Sequence, residues 1–437
     1  MHVPTLCLVI AFTILTIPTI ARPMHSGIDY QRYLEEIDTT QADLDEWRSK
    51  FGDVAQKNGW MPVSEARSAD DQEEDLRQRI FLTKQSIAKV QAANPSANFS
   101  IMSPFSAMTD EEFNKYVLNS YVRGNSTQST NRTNSRQLRS AGNSDSNIDA
   151  GSDNASIIKT FESLIKTFFN GLNTATIQPT SDSSANVKRS GSQASYKFSD
   201  FWDWRPLQPT TNAPATTSSP TVAEASTDSV DWSTSKCMAP IQSQGSCGSC
   251  WAFATVSAVE SAQCIASGKQ SLTKYSEQQL VSCNTQNWGC DGGSPVYAFD
   301  YVQQNGLCKE DSYPYTSKGG YADSCSRSCD AQDTGLTGYS QVTGEDELLN
   351  ALDKHPVIVA VASGNNVWKQ YTGGVVSSCD SWQPDHAVVA VGYDSSSLKI
   401  RNSWGTYWGE EGYIRLARSS SREGTCGVMM DMSTPQM

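Results

Sequence analysis

Between residues 73 and 94 (EEDLRQRIFLTKQSIAKVQAAN) the apolar positions Leu76, Ile80, Ile87 and Val90 recur at near-helical intervals, which predicts an amphipathic helix. Residues 108–113 (MTDEEF) then place Thr109 ahead of three acidic residues, the signature of a capped helix start. The whole stretch from about Gly27 to Val122 is charged and helix-like. Two more helical patterns follow at 250–266 (CWAFATVSAVESAQCIA) and 276–283 (SEQQLVSC). Thereafter the texture turns to strands: VIVAVA (357–362), HAVVAVGY (386–393), SLKIRN (397–402) and GYIRLAR (412–418), bounded by Gly, Pro and Asp. Helices first and strands afterwards predict an α+β domain in two halves with a cleft between them.

The segments between these patterns set the domain boundaries. A Ser/Thr/Asn-rich stretch runs to about Asn186, broken by one candidate amphipathic helix at 157–172, and residues 207–227 form a Pro/Thr/Ser linker that cannot build a core. The apolar run at 5–20, with Thr19 and Ala21 before a cleavage point, reads as a secretory signal peptide. The expected organisation is a signal peptide at 1–21, a helical region at 22–122, a low-complexity insert at 123–228 and a compact domain at 229–437. No later stretch is apolar enough to span a bilayer. Four N-x-S/T sequons, at Asn98, Asn125, Asn131 and Asn154, all precede the compact domain and are candidate glycosylation sites. A formal net charge of −13 and a pI near 4.8 argue against nucleic acid or an anionic membrane as partner.

Of twelve cysteines, eleven lie between Cys237 and Cys426. An odd number in an oxidising compartment points to one thiol kept free. The C-x-x-C pair Cys247 and Cys250 could be a redox dithiol or one structural and one reactive cysteine. The preceding CMAPIQSQGS lacks the strand pattern of a thioredoxin-like unit, and the odd count favours a single free thiol. Cys250 opens a predicted helix, where the dipole and free N–H groups favour a thiolate. Cysteine catalysis also needs an imidazole and a group to orient it. The compact domain holds two histidines. His355 reads as a loop residue before a proline, whereas His386 heads an apolar strand, with the Asn402 amide in IRNSWG available to orient it and Trp404 to shield that bond from water.

With CGSCW followed by a histidine and an asparagine roughly 130 to 150 residues downstream, the chain resembles the papain-like cysteine peptidases. The resemblance covers about 230–437, through VDW, SEQQLVSC, GCDGG, DHAVVAVGY, RNSWGTYWGEEGYIRL and GTCGV. It implies a two-lobed fold, a helical lobe facing a β-barrel-like lobe, and a cysteine endopeptidase working through a thioester acyl-enzyme without a metal or cofactor. Cys250 would be the nucleophile, His386 the general base and then acid, Asn402 the orienter of the imidazole. Gln244 would complete an oxyanion hole with the Cys250 N–H. By the family pattern Cys247 pairs with Cys290, Cys283 with Cys325 and Cys379 with Cys426; the extra four are assigned as Cys237 with Cys264 and Cys308 with Cys329. A catalytically silent binding module and a ligase or transpeptidase variant are the alternatives.

The same resemblance makes Gly292, Gly293, Ser294 and Pro295 a wall for substrate backbone. Ala360, Pro384 and Ala387, with Trp404 nearby, line the cleft, and Asp431 forms the base of the pocket for the second residue before the cut (P2), implying tolerance of bulky apolar or basic side chains there. The N-terminal region resembles the family's inhibitory propeptide in DEWRSKFG (45–52) and FSAMTDEEF (105–113), with Lys84, Ala88 and Ala92 departing from its helix motif and Ala107 replacing its aspartate. The implied partners are protein or peptide substrates and the chain's own propeptide. The implied state is a monomer, extracellular or in a lysosome- or vacuole-like organelle.

Overall fold

The computed structural model describes residues 24–62, 68–117, 120–124, 229–268 and 271–437. The chain divides into one unit of residues 1–132 and 224–437 and another of 133–223. The signal peptide, Asn125, Asn131, Asn154, the 157–172 helix and the linker lie outside the described residues.

The N-terminal region is helical, as its periodicity predicts. Helices α1 (Tyr30–Glu35), α2 (Ile37–Lys57) and α3 (Ala69–Ala93) are followed by a short strand β1 (Ala97–Phe99) and helix α4 (Asp110–Tyr116). In α3 Ile80 and Val90 are buried, while Leu76 and Ile87 pack partly buried against the same core. Thr109 caps α4 in a full capping box: its side chain accepts from Glu112 N–H, and the Glu112 carboxylate accepts from Thr109 N–H at 3.0 Å. Lys84, one of the departures from the helix motif, pairs with Asp43 of α2 at 2.6 Å, tying α3 to α2.

The C-terminal region has a helical half and a sheet half. Helix α5 (Cys250–Ala266) is buried along nearly its whole length and packs on α6 (Glu277–Cys283) and α7 (Pro295–Asn305). A helix apolar all round needs such complete cover. The other half contains β2 (Val230–Asp231), β3 (Gly338–Val342), α8 (Gly344–Leu352), β4 (Val357–Val361), α9 (Asn366–Gln370), β5 (Tyr371–Val376), β6 (His386–Tyr393), β7 (Ser397–Arg401), β8 (Tyr413–Ala417) and β9 (Met432–Gln436). Among the described residues the strands run in the order β1-β5-β8-β7-β6-β4-β9-β3, with β2 beside β6, and every pairing is antiparallel except β5 with β8. All eight residues of β6 are buried. Its Val388 and Ala390 face one core and Ala387, Val389 and Val391 the other, so it is the seam on which α5 packs. The architecture is α+β and two-lobed.

The N-terminal region joins the sheet. β1 pairs with β5, adding a strand at its edge. Phe105 inserts between Trp60 and Trp404, and Phe113 packs on Phe105 and Trp404, with ring centroids 4.7 to 5.6 Å apart. The five disulfides are Cys237–Cys264, Cys247–Cys290, Cys283–Cys325, Cys308–Cys329 and Cys379–Cys426. They match the sequence assignment and leave Cys250 as the free thiol among the described residues.

Candidate active site

Cys250 is the first residue of α5, brought there by the Cys247–Cys290 bridge and a tight turn in which Ser249 N–H bonds the Cys247 carbonyl at 2.8 Å. His386 is the first residue of β6, and its neighbour Ala387 donates its N–H to Cys250 Sγ at 3.3 Å. His386 Nε2 bonds Asn402 Oδ1 at 2.8 Å, and Ser403 N–H also donates to that oxygen, so the amide faces the ring with its acceptor. The Nε2 atom therefore carries the proton, leaving Nδ1 as the base. His386 Nδ1 is buried with no hydrogen-bond partner among the described residues. Trp404 stacks on the imidazole at 4.9 Å between centroids and is itself fully buried.

Gln244 is fully buried nearby. Its Oε1 accepts from Ser403 Oγ at 2.6 Å, and its Nε2 donates to the carbonyls of Cys247 at 3.0 Å and Val117 at 3.4 Å. The expected oxyanion donor is thus engaged by a carbonyl of the chain's own N-terminal region. His355 lies in a loop beside Thr434 and takes no part.

Residues 120–124 fill the cleft. Ser120 Oγ is 2.9 Å from Cys250 Sγ, Gly293 N–H donates to Ser120 O at 2.8 Å, and Val122 N–H donates to Gly293 O at 2.9 Å, making a parallel bridge between Tyr121 and Gly293. Gly292 has φ of +114°, and a Cβ there would lie 3.0 Å from Ser120 O, so close approach requires glycine. At Gly293 a Cβ would fall 2.8 Å from Trp251 Cδ2 and 2.6 Å from Asn287 Oδ1. Ser294 and Pro295 continue this wall into the start of α7.

The remaining pocket residues converge through the sheet. Ala360 pairs with Ala387 across β4 and β6, and its N–H bonds the Asp431 carbonyl at 2.9 Å. Pro384 precedes Asp385, whose carbonyl accepts from Tyr121 N–H at 3.3 Å. The Tyr121 hydroxyl donates to Asp431 Oδ2, and Arg123 Nε lies 3.6 Å from the same oxygen. Ser120 and Tyr121 escaped sequence reasoning; the signal available was only that they follow the last helix of the propeptide-like region.

Burial governs the charge state of this closed site. Cys250 is pushed up to about 11 by burial, against the opposing hydrogen bonds from Ser120 and Ala387. His386 is pushed down to about 4 by burial, with the Asn402 bond opposing. The pair is a neutral thiol beside a neutral imidazole while the segment is in place.

A family model described as papain family cysteine protease matches residues 226–436. Mexicain of Jacaratia mexicana is 40% identical over 209 residues, which cover 46% of this chain and 94% of that protein. The chain belongs to the papain family. Cysteine protease XCP2 of Arabidopsis thaliana is 43% identical over 222 residues, covering 48% of this chain and 61% of its own length. The chain spans 57% to 61% of the length of such longer curated relatives. A crystal structure of the ragweed pollen allergen Amb a 11, a cysteine protease in its proform, superposes with a TM-score of 0.58 at 25% identity, covering 93% of this chain and 95% of that one. The likeness in shape thus extends beyond residues 226–436.

Proposed function

We propose that the chain is the zymogen of a cysteine endopeptidase, with residues 22–122 as its inhibitory propeptide and 229–437 as the enzyme. The observation that carries the reading is Cys250 at a helix N-terminus, its Sγ 3.3 Å from the N–H of the residue next to His386, whose Nε2 is held by Asn402 and whose buried Nδ1 has no partner among the described residues. Once the cleft opens to water, the burial that keeps both groups neutral is relieved. The helix N-terminus then favours the thiolate, and His386 Nδ1 takes the proton. The thiolate attacks the peptide carbonyl, and Gln244 Nε2, freed from Val117, stabilises the oxyanion with the Cys250 N–H. His386 gives its proton to the departing amine, leaving a thioester that water hydrolyses.

Asp431 supports the finer reading that the P2 pocket accepts basic as well as bulky apolar side chains. In the closed site this carboxylate already receives a phenol and faces an arginine, Tyr121 and Arg123. The disulfides support a secretory route to the cell exterior or an acidic organelle. Asn98, exposed on β1, is the glycan acceptor within the described residues.

The test is to incubate the full chain in mild acid with a reductant and follow Phe-Arg and Arg-Arg fluorogenic amides. Cleavage of both is expected, lost in Cys250→Ala. Asp431→Ala should lower Arg-Arg relative to Phe-Arg turnover by about tenfold, the scale of one charged hydrogen bond. No cleavage from a chain demonstrably freed of residues 22–122 would reject the peptidase reading, and an unchanged ratio would reject the role of Asp431.

A further inference from the structure

Serine and threonine at a helix start ordinarily accept a hydrogen bond from an amide of the first turn. Ser68, Thr109 and Ser276 do so at α3, α4 and α6, while Ser294 and Thr343 at α7 and α8 leave their helices without a side-chain cap. Ser249, which precedes the nucleophile's helix, is of the second kind: α5 has no side-chain cap. Its hydroxyl lies instead 2.8 Å from the hydroxyl of Tyr315.

The hydrogen count fixes the direction of these bonds. Tyr315 has one hydroxyl proton, and it goes to the Gln244 carbonyl at 2.8 Å, an atom that can only accept. Ser249 then donates its proton to Tyr315, the nearer of its two acceptors, the other being the Cys247 carbonyl at 3.5 Å. One phenol thus ties the residue before Cys250 to the backbone of Gln244, the two places from which the oxyanion donors project. The ring is braced at 4.9 Å edge-to-face against Phe253 in the first turns of α5, and Tyr315 N–H is held by Glu310 Oε1 at 3.2 Å. Burial raises the phenol's pKa, so it stays a donor throughout the working range of such a site.

We propose that Tyr315 is a positioning residue for the oxyanion hole: its hydroxyl holds the Gln244 loop against the start of α5 and keeps Ser249 from capping the helix, so that the Gln244 amide and the Cys250 N–H converge on one oxygen. This rests on the peptidase reading above. Tyr315 touches no reacting atom in this arrangement; it acts through the spacing of two donors. Since donors misplaced by a fraction of an ångström lose much of their effect on the transition state while leaving ground-state binding intact, the hydroxyl should matter for turnover and not for substrate affinity.

The experiment compares wild type, Tyr315→Phe, Ser249→Ala and the double variant, all expressed as the full chain and processed by the same added protease. Removing the hydroxyl should lower kcat about tenfold with KM within about twofold, and weaken a peptide aldehyde, whose adduct places an oxygen in the hole, by the same factor. Alkylation of Cys250 by iodoacetamide, which makes no oxyanion, should stay within about twofold of wild type. Ser249→Ala should reproduce part of the loss, and the double variant should be no worse than Tyr315→Phe, because both break one bridge. An active wild type with unchanged kcat in Tyr315→Phe would overturn the inference. A fall in kcat matched by an equal fall in alkylation rate would overturn it too, as general damage to the site. A processed wild type without thiol-dependent cleavage would instead remove the peptidase reading on which the inference stands.

Discussion

Of the places where the N-terminal region meets residues 229–437, two differ sharply in chemistry. Around Phe105 and Phe113 the contact is a fully buried aromatic cluster with Trp60 and Trp404, beside the ion pair Asp110–Lys369 at 2.9 Å. Along residues 120–124 it is mostly main-chain hydrogen bonds to Gly293 and Asp385, with Ser120 on the nucleophile and Tyr121 on Asp431. The first holds by removing apolar area from water, and side chains decide it. The second holds by backbone, which many sequences can supply. The docked region is therefore anchored by the aromatic cluster, and the segment in the cleft is kept there by its tether.

Labelling of Cys250 in the unprocessed chain measures how often the cleft opens and can break this comparison. Phe105→Ala empties the centre of the anchor and should destabilise the docked region by roughly 3 to 5 kcal/mol, raising the labelling rate by orders of magnitude. Tyr121→Phe removes one hydrogen bond to a carboxylate, about 1.5 to 3 kcal/mol, and should raise the rate distinctly less. If Tyr121→Phe opened the cleft more than Phe105→Ala, the division into anchor and tethered segment would be wrong.

The smallest effect concerns Asp110. Desolvation pushes its carboxyl up, but the charge and hydrogen bond of Lys369, with a bond from Asn366, outweigh it and leave the group below its ordinary value. Lys369 in turn is pushed down by burial, opposed by Asp110 and Glu112 and reinforced by Arg79. A depressed acid contributes docking stability at and above its free pKa, about 4, and loses it as pH falls through the lower docked value. Labelling should thus accelerate below about pH 4, and Asp110→Asn should flatten that rise. The Asp110 side chain is 58% exposed, so screening keeps the effect modest at neutral pH. This pair lies three residues from Ala107, where the family's propeptide pattern has an aspartate.

Much of this was legible in the chain before any coordinates. The capped start of α4 at Thr109, the spacing along α3 and the apolar run of β6 are local patterns, and each formed as its period predicts. The free thiol of Cys250 followed from an odd cysteine count together with its motif. Other elements carried no local signal. β1 is three residues long and exists because β5 lies beside it, a partner more than 270 positions away. β5 itself, YTGGVV, holds two glycines that weaken a strand pattern. Ser120 and Tyr315 are ordinary residues in aperiodic segments. Their importance comes only from what the fold sets opposite them.

The most direct measurement is the rate at which iodoacetamide modifies Cys250 in the intact chain and again after residues 22–122 have been cleaved away, at neutral pH. With Ser120 on the sulfur, the residue fully buried and the thiol pushed up to about 11, the intact chain should be nearly inert and the cleaved enzyme rapidly modified. Equal rates in the two forms would contradict the account, because the thiol would then be neither covered nor held neutral by the segment in the cleft.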